Sequence, residues 1–184
     1  MNNSFYSFVG AEAGPWRIQS VQPVAGAGLE TAPCLQIHNA NLAGLPDGAR
    51  WILRGVTSHA RYVTRTEQNS LAQIQAPIGR SECDRAALIP LSKNSAWWAL
   101  TQDERRELLE ERSHHIQVGL RYLPAIARRL HHGRDLGEPF DFLTYFEYTR
   151  RDSAAFEELV AALRQSEEWQ YVEREVDIRL ERAG

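Results

Sequence analysis

The sequence predicts an α+β fold in which two β-α-β blocks flank a long helical region, a duplicated arrangement of ferredoxin-like type. Two periodicities carry this prediction. Apolar residues alternate or run together in short stretches bounded by turn residues, as in strands, and between those stretches they recur at three, four and seven, as in helices. Residues 1–48 are rich in Gly, Ala, Pro and Asn, with one expected strand at 16–21 and loops around PVAGAG and NLAGLPDG. ARWILRGVTSHARYV then reads as a β-rich stretch, 67–75 as a short polar helix and AALIPLS as a buried strand. A helical region opens at Thr101, where Glu104 completes a capping box. Leu109, Ile116, Leu120, Leu123, Ala127 and Leu130 give it a core-facing stripe. FDFLTYFEYT reads as a strand, SAAFEELVAALRQ as an amphipathic helix and WQYVEREVDIRL as a strand with Val172, Val176, Ile178 and Leu180 on one face.

At 184 residues the chain can bury about 70% of its unfolded surface, enough for one sizeable domain. Hydrophobic residues make up 43% and charged residues 24%, and no apolar stretch approaches the ~20 residues needed to span a bilayer. A formal charge of −3, with Arg alternating with Glu and Asp in the last third, argues against nucleic acid as a partner. The opening MNNSFYSFVGAEAGPWRIQ has neither a basic nor an apolar signal region, so the expected compartment is the cytoplasm. Cys34 and Cys83 are too few and too far apart for a disulfide scaffold or a zinc site, and reduced thiols are expected.

His115 and Arg128 bracket GLRYLP, an expected helix break. On an unbroken helix, thirteen residues would leave them about 220° apart in rotation and about 20 Å apart along the axis. A break lets both serve one cavity. None of His38, His59, His114, His115, His131 and His132 forms an H-x₃-H or HExxH pattern, and adjacent histidines on a helix point about 100° apart, so a multi-histidine zinc site is not expected. For His38, His59, His131 and His132 the plain reading is an exposed or hydrogen-bonded side chain. His115 sits beside the apolar stripe. A lone histidine on an apolar wall is what a b-type haem requires, while the lack of Cys-x-x-Cys-His excludes c-type attachment. From spacing alone, a core histidine remains the simpler reading. Trp97 and Trp98 read as packing residues or as the wall of a flat aromatic pocket. Arg128, Arg129, Glu167 and Glu168 read as surface charges.

The stretch WWALTQDERRELLEERSHHIQVGLRYLPAIARRLHHGRDLGEPFDFLTYFEY, continuing to EEWQYVEREVDIRL, resembles the chlorite dismutase family, specifically its short, dimeric branch. The resemblance covers about residues 50–182. It implies a dimeric α+β barrel of two ferredoxin-like halves, with a truncated N-terminal half at 1–98 and a haem-binding half at 99–184, together one structural domain. It also implies one haem b per subunit and decomposition of chlorite to chloride and dioxygen through ferryl haem and hypochlorite. Carried over by position, the proximal iron ligand is His115, the acid on its imidazole is Glu168 and the distal arginine is Arg128. Lys93 and Trp98 fall near the proximal side and the haem edge. Leu123 belongs to the apolar surround, and Gln75, or its near neighbour Gln73, is the distal glutamine. Two alternatives share the scaffold: a non-catalytic haem carrier or sensor, and a coproheme decarboxylase-like enzyme, whose relatives are longer and lack the distal arginine.

Overall fold

The computed structural model describes residues 4–57 and 62–183, so His59 lies outside the described residues. Its strands are β1 (Phe5–Ala11), β2 (Trp16–Ala25), β3 (Cys34–His38), β4 (Ala49–Val56), β5 (Arg85–Lys93), β6 (Ala127–His132), β7 (Phe142–Tyr148) and β8 (Val172–Arg182). They close into a barrel in the order β1-β3-β2-β8-β5-β7-β6-β4. The helices are α1 (Arg65–Ile74), α2 (Ser95–Ala99), α3 (Gln102–Arg106), α4 (His115–Arg121) and α5 (Ser153–Arg164). Among the described residues, no helix is long and apolar enough to cross a membrane.

The strand order repeats. Numbered from their own first strands, β1–β4 and β5–β8 each run 4-1-3-2, the ferredoxin-like order. In the second set, α2 to α4 bridge the first and second strands and α5 bridges the third and fourth. In the first set, the same two connections, 12–15 and 39–48, carry no helix. The first half therefore keeps its strands and lacks its crossover helices. Because β5 pairs with β7 and β8, the second set begins at Arg85, upstream of the 98/99 division expected from sequence.

Two sequence expectations change. β1 and β3 lie where no strand was expected; their FYSFVGA and CLQIH are short and diluted by small and polar residues, yet Phe8, Val9 and Leu35 are fully buried. More consequentially, ARRLHH is strand β6 rather than the second arm of a broken helix. It pairs antiparallel with β7 from Ala127↔Glu147 to His132↔Phe142. That ladder satisfies the open edge of β7, and pairing of this kind overrides a local helical pattern. At the neighbouring β4 seam, Gly55 allows the close approach, because a Cβ there would lie 2.6 Å from the His131 Cβ.

The barrel interior holds Phe8, Leu35, Leu53, Leu88, Leu143, Tyr145, Val176, Ile178 and Leu180. The outer face of β5 and β7 packs Ala87, Ile89, Phe146 and Tyr148 under Phe156, Leu159, Val160 and Leu163 of α5. Each fully buried side chain of this size contributes about 1.5–3 kcal/mol. The expected apolar face of β8 points inward, but Glu175 and Asp177 on its other face are buried as well. Arg164 reaches both, at 2.6 and 2.8 Å, and Trp169 Nε1 donates to Glu175 at 3.0 Å, so neither carboxylate is left unpaired.

Candidate active site

Period-two alternation builds the floor of a cavity outside the second half of the barrel. Arg128, Leu130 and His132 point outward from β6, opposite Phe146, Thr144 and Phe142 of β7, and Ile89, Leu91 and Lys93 extend the surface along β5. Leu71 of α1, Gln75 just after that helix, Trp97 of α2, His115 and Ile116 of α4, and Trp169 line the walls. The enclosed volume is about 400 Å³, within the range of small-molecule and cofactor sites.

On the helical side, His115 Nδ1 lies 2.8 Å from Glu168 Oε2, and Lys93 Nζ lies 2.8 Å from Glu168 Oε1. The Glu168 backbone N–H donates to Ser113 Oγ at 2.9 Å, which ties the acid to the turn before α4. Burial would raise the Glu168 carboxyl, but the charges of His115 and Lys93 and their hydrogen bonds outweigh it and hold the group at about 2. Glu168 is therefore a carboxylate at neutral pH. It can accept the Nδ1 proton and so fix the tautomer that leaves Nε2 as a lone-pair donor. Nε2 has no partner among the described residues.

Arg128 supplies the opposite chemistry. Its guanidinium has no hydrogen-bond or ion-pair partner among the described residues, and burial pulls its pKa down, partly offset by the charge of Glu110. It lies against Gly119, where a Cβ would sit 2.6 Å from Nη1. The glycine noted as a helix breaker is thus the space into which this side chain fits. Arg129, read as a surface charge, reaches the cavity rim and donates to the Tyr6 hydroxyl at 2.7 Å.

Of the residues expected from sequence, His115, Glu168, Lys93, Arg128 and Gln75 line this one cavity, and Trp98 and Leu123 are not among its lining residues. Consecutive helical residues point about 100° apart, so α2 can present only one tryptophan to it. That residue is Trp97, 2% exposed, with Nε1 buried and without a hydrogen-bond partner among the described residues, and Lys93 Nζ 4.6 Å from its ring centre. Trp98 instead donates to Asp141 at 3.2 Å and stacks on Phe142. Leu123 lies in the turn between α4 and β6. Sequence reasoning offered both tryptophans as a possible pocket wall and carried Trp98 forward, and it missed Glu110, a buried acid in the π-helical turn Glu107–Arg112.

Gln75 lines the cavity and Gln73 does not. The Gln75 amide donates to the Arg128 backbone carbonyl at 2.9 Å rather than meeting the guanidinium. Helix α1 buries none of its side chains and is held by Arg106, which forks onto Glu67 at 2.7 and 2.8 Å. The hydrogen bonds from Arg106 lower Glu67 from 4.5 to about 2, against a smaller opposing effect of burial. A folded value below the unfolded one stabilises above pH 4.5, and the contribution is lost as pH falls towards 2. The thermal midpoints of the parent protein and Arg106→Ala should therefore differ by a constant amount above about pH 5 and converge on acidification. A gap that persists at pH 2 would show that the ion pair does not set it.

A family model described as chlorite dismutase matches residues 37–182. A chlorite dismutase from Ideonella dechloratans is 31% identical over 121 residues, covering 65% of this chain and 40% of that protein. The chain thus spans less than half the length of that curated relative. A dimeric chlorite dismutase from Nitrobacter winogradskyi is 56% identical with a TM-score of 0.90, covering 97% of this chain and 99% of that one. A mutant chlorite dismutase from Candidatus Nitrospira defluvii, in complex with cyanide, is 20% identical with a TM-score of 0.69, covering 98% and 90%; at that distance the likeness is one of fold.

Proposed function

Because this chain belongs to the chlorite dismutase family, we propose that it is a haem b enzyme, one haem per subunit of a homodimer, that converts chlorite to chloride and dioxygen. The observation that carries the reading is the juxtaposition in one cavity of an imidazole Nε2 and a guanidinium that both lack a partner among the described residues. The residues fit the cofactor. The walls are largely apolar, the His115 imidazole offers Nε2 as an iron ligand, and Trp97 Nε1, without a partner among the described residues, leaves a donor for a polar edge. When bound, the haem would supply a redox-active iron with an open coordination position for chlorite.

The chain's own residues divide the remaining work. His115 would hold the iron through Nε2. Glu168 retains the Nδ1 proton and makes the imidazole a more electron-rich ligand, while Lys93 keeps Glu168 ionised and in place. Arg128 meets the oxyanion with a permanent charge and several donors, favouring its capture and its retention until the O–O bond has formed. Leu91, Phe142 and Phe146 limit water in the cavity, which strengthens those interactions. Likeness to a dimeric relative supports the homodimer. The unpaired Cys34 and Cys83 support a reducing compartment, the cytoplasm.

The test is oxygen evolution from the purified chain loaded with haem and supplied with chlorite. One dioxygen and one chloride per chlorite is the expected yield. Stoichiometric haem uptake without oxygen would favour a carrier or sensor.

A further inference from the structure

Glu110 is 3% exposed, and among the described residues no lysine, arginine or histidine forms an ion pair with it. A carboxylate buried in this way is unfavourable unless its oxygens are bonded. Oε2 accepts from the Ile116 N–H at 2.6 Å and Oε1 from the Gln117 N–H at 3.3 Å. These are the second and third residues of α4, whose first is His115. His114, which precedes the helix, makes no side-chain cap and is left-handed at φ 52°. The Glu110 carbonyl accepts from the His114 N–H at 2.9 Å. One residue therefore grips the backbone on both sides of His115, by its carbonyl at 114 and by its carboxylate at 116 and 117. π-Helical turns such as the one that carries it are often found at functional sites.

We infer that Glu110 is a positioning residue that sets the direction of the His115 imidazole, an inference that rests on the reading of His115 as the haem ligand. His115 can aim Nδ1 at Glu168 and Nε2 into the cavity only if the turn from 113 to 116 holds its backbone in place. The usual N-cap side chain is missing there, and Glu110 supplies the cap from the preceding turn.

The experiment compares the full-length parent, Glu110→Ala, Glu110→Gln and His115→Ala. Three quantities are read: amide hydrogen exchange of the haem-free proteins, haem titration, and the iron–imidazole vibration of the loaded proteins. In Glu110→Ala, exchange at Ile116 and Gln117 should accelerate while β5 and β7 stay protected. Haem affinity should fall about 10- to 100-fold, the range for losing a group that orients a metal ligand, and the vibration should shift or broaden. Glu110→Gln keeps an acceptor oxygen and should recover most of both, which also carries the test if the alanine protein fails to fold. Unchanged exchange, or faster exchange with parental affinity and vibration, overturns the inference. If His115→Ala takes up haem as the parent does, the ligand assignment falls and this inference with it.

Discussion

Arg128→Ala protein should take up haem yet lose about 10²- to 10³-fold in kcat/KM for chlorite, the scale set by removing one preorganised donor to an anion. It should also release hypochlorite. Chlorite that gives up one oxygen atom leaves hypochlorite, a small singly charged anion, and dioxygen forms only if that fragment stays until the second oxygen is joined to the first. Arg128 is suited to hold it because no acid pairs with its guanidinium among the described residues and because β6 anchors it beside Phe146 of β7. The backbone of Arg128 is held separately, by the β7 ladder and the Gln75 amide, so truncation should leave the wall standing. Arg128→Lys keeps the charge but not the planar fork and should fall between the two. The measurements are oxygen yield per chlorite and trapping by a chlorinatable dye added during turnover. Parental turnover with no trapped hypochlorite would remove Arg128 from the mechanism.

That prediction depends on which arginine faces the cavity, a point the sequence conveyed only indirectly. ARRLHH carries a helical apolar spacing, with Leu123, Ala127 and Leu130 at four and three, and also the period-two pattern Arg128, Leu130, His132. Only pairing with β7, which a pattern confined to 127–132 does not contain, decides between them. The same limit explains β1 and β3, whose burial comes from strands far along the chain. Elements whose pattern matches a single period, such as β5, β7 and α5, were legible. In the site, the resemblance placed His115, Glu168 and Lys93, and their contacts follow from α4 and the short helical turn Glu167–Tyr171 meeting at Ser113. The choice of Trp97 over Trp98 needed the rotation of a five-residue helix. Glu110 gave no sequence signal beyond an acid among acids in LLEERSHH, because its role depends on a π-helical turn.

His115→Ala should abolish five-coordinate ferric haem and weaken haem binding by more than about 100-fold, beyond the loss expected for a group that only orients a ligand. Removal of this imidazole is a clean change in the fold. Glu168 keeps Lys93 at 2.8 Å and the Ser113 hydroxyl on its backbone, and Glu110 keeps its bonds to Ile116 and Gln117. The haem-free variant should therefore unfold close to the parent. The difference should appear only on adding haem: a ligand at 100 times its Kd stabilises the parent by about 2.7 kcal/mol, and a variant that no longer binds gains nothing. His115→Gly gives a sharper form of the test, since it opens space for a free imidazole. Added imidazole should restore the parental spectrum in the glycine variant, and Glu168 should orient the exogenous ring as it does the native one. A normal haem spectrum in His115→Ala without imidazole would refute the ligand assignment, and a glycine variant that binds haem only with imidazole would establish it.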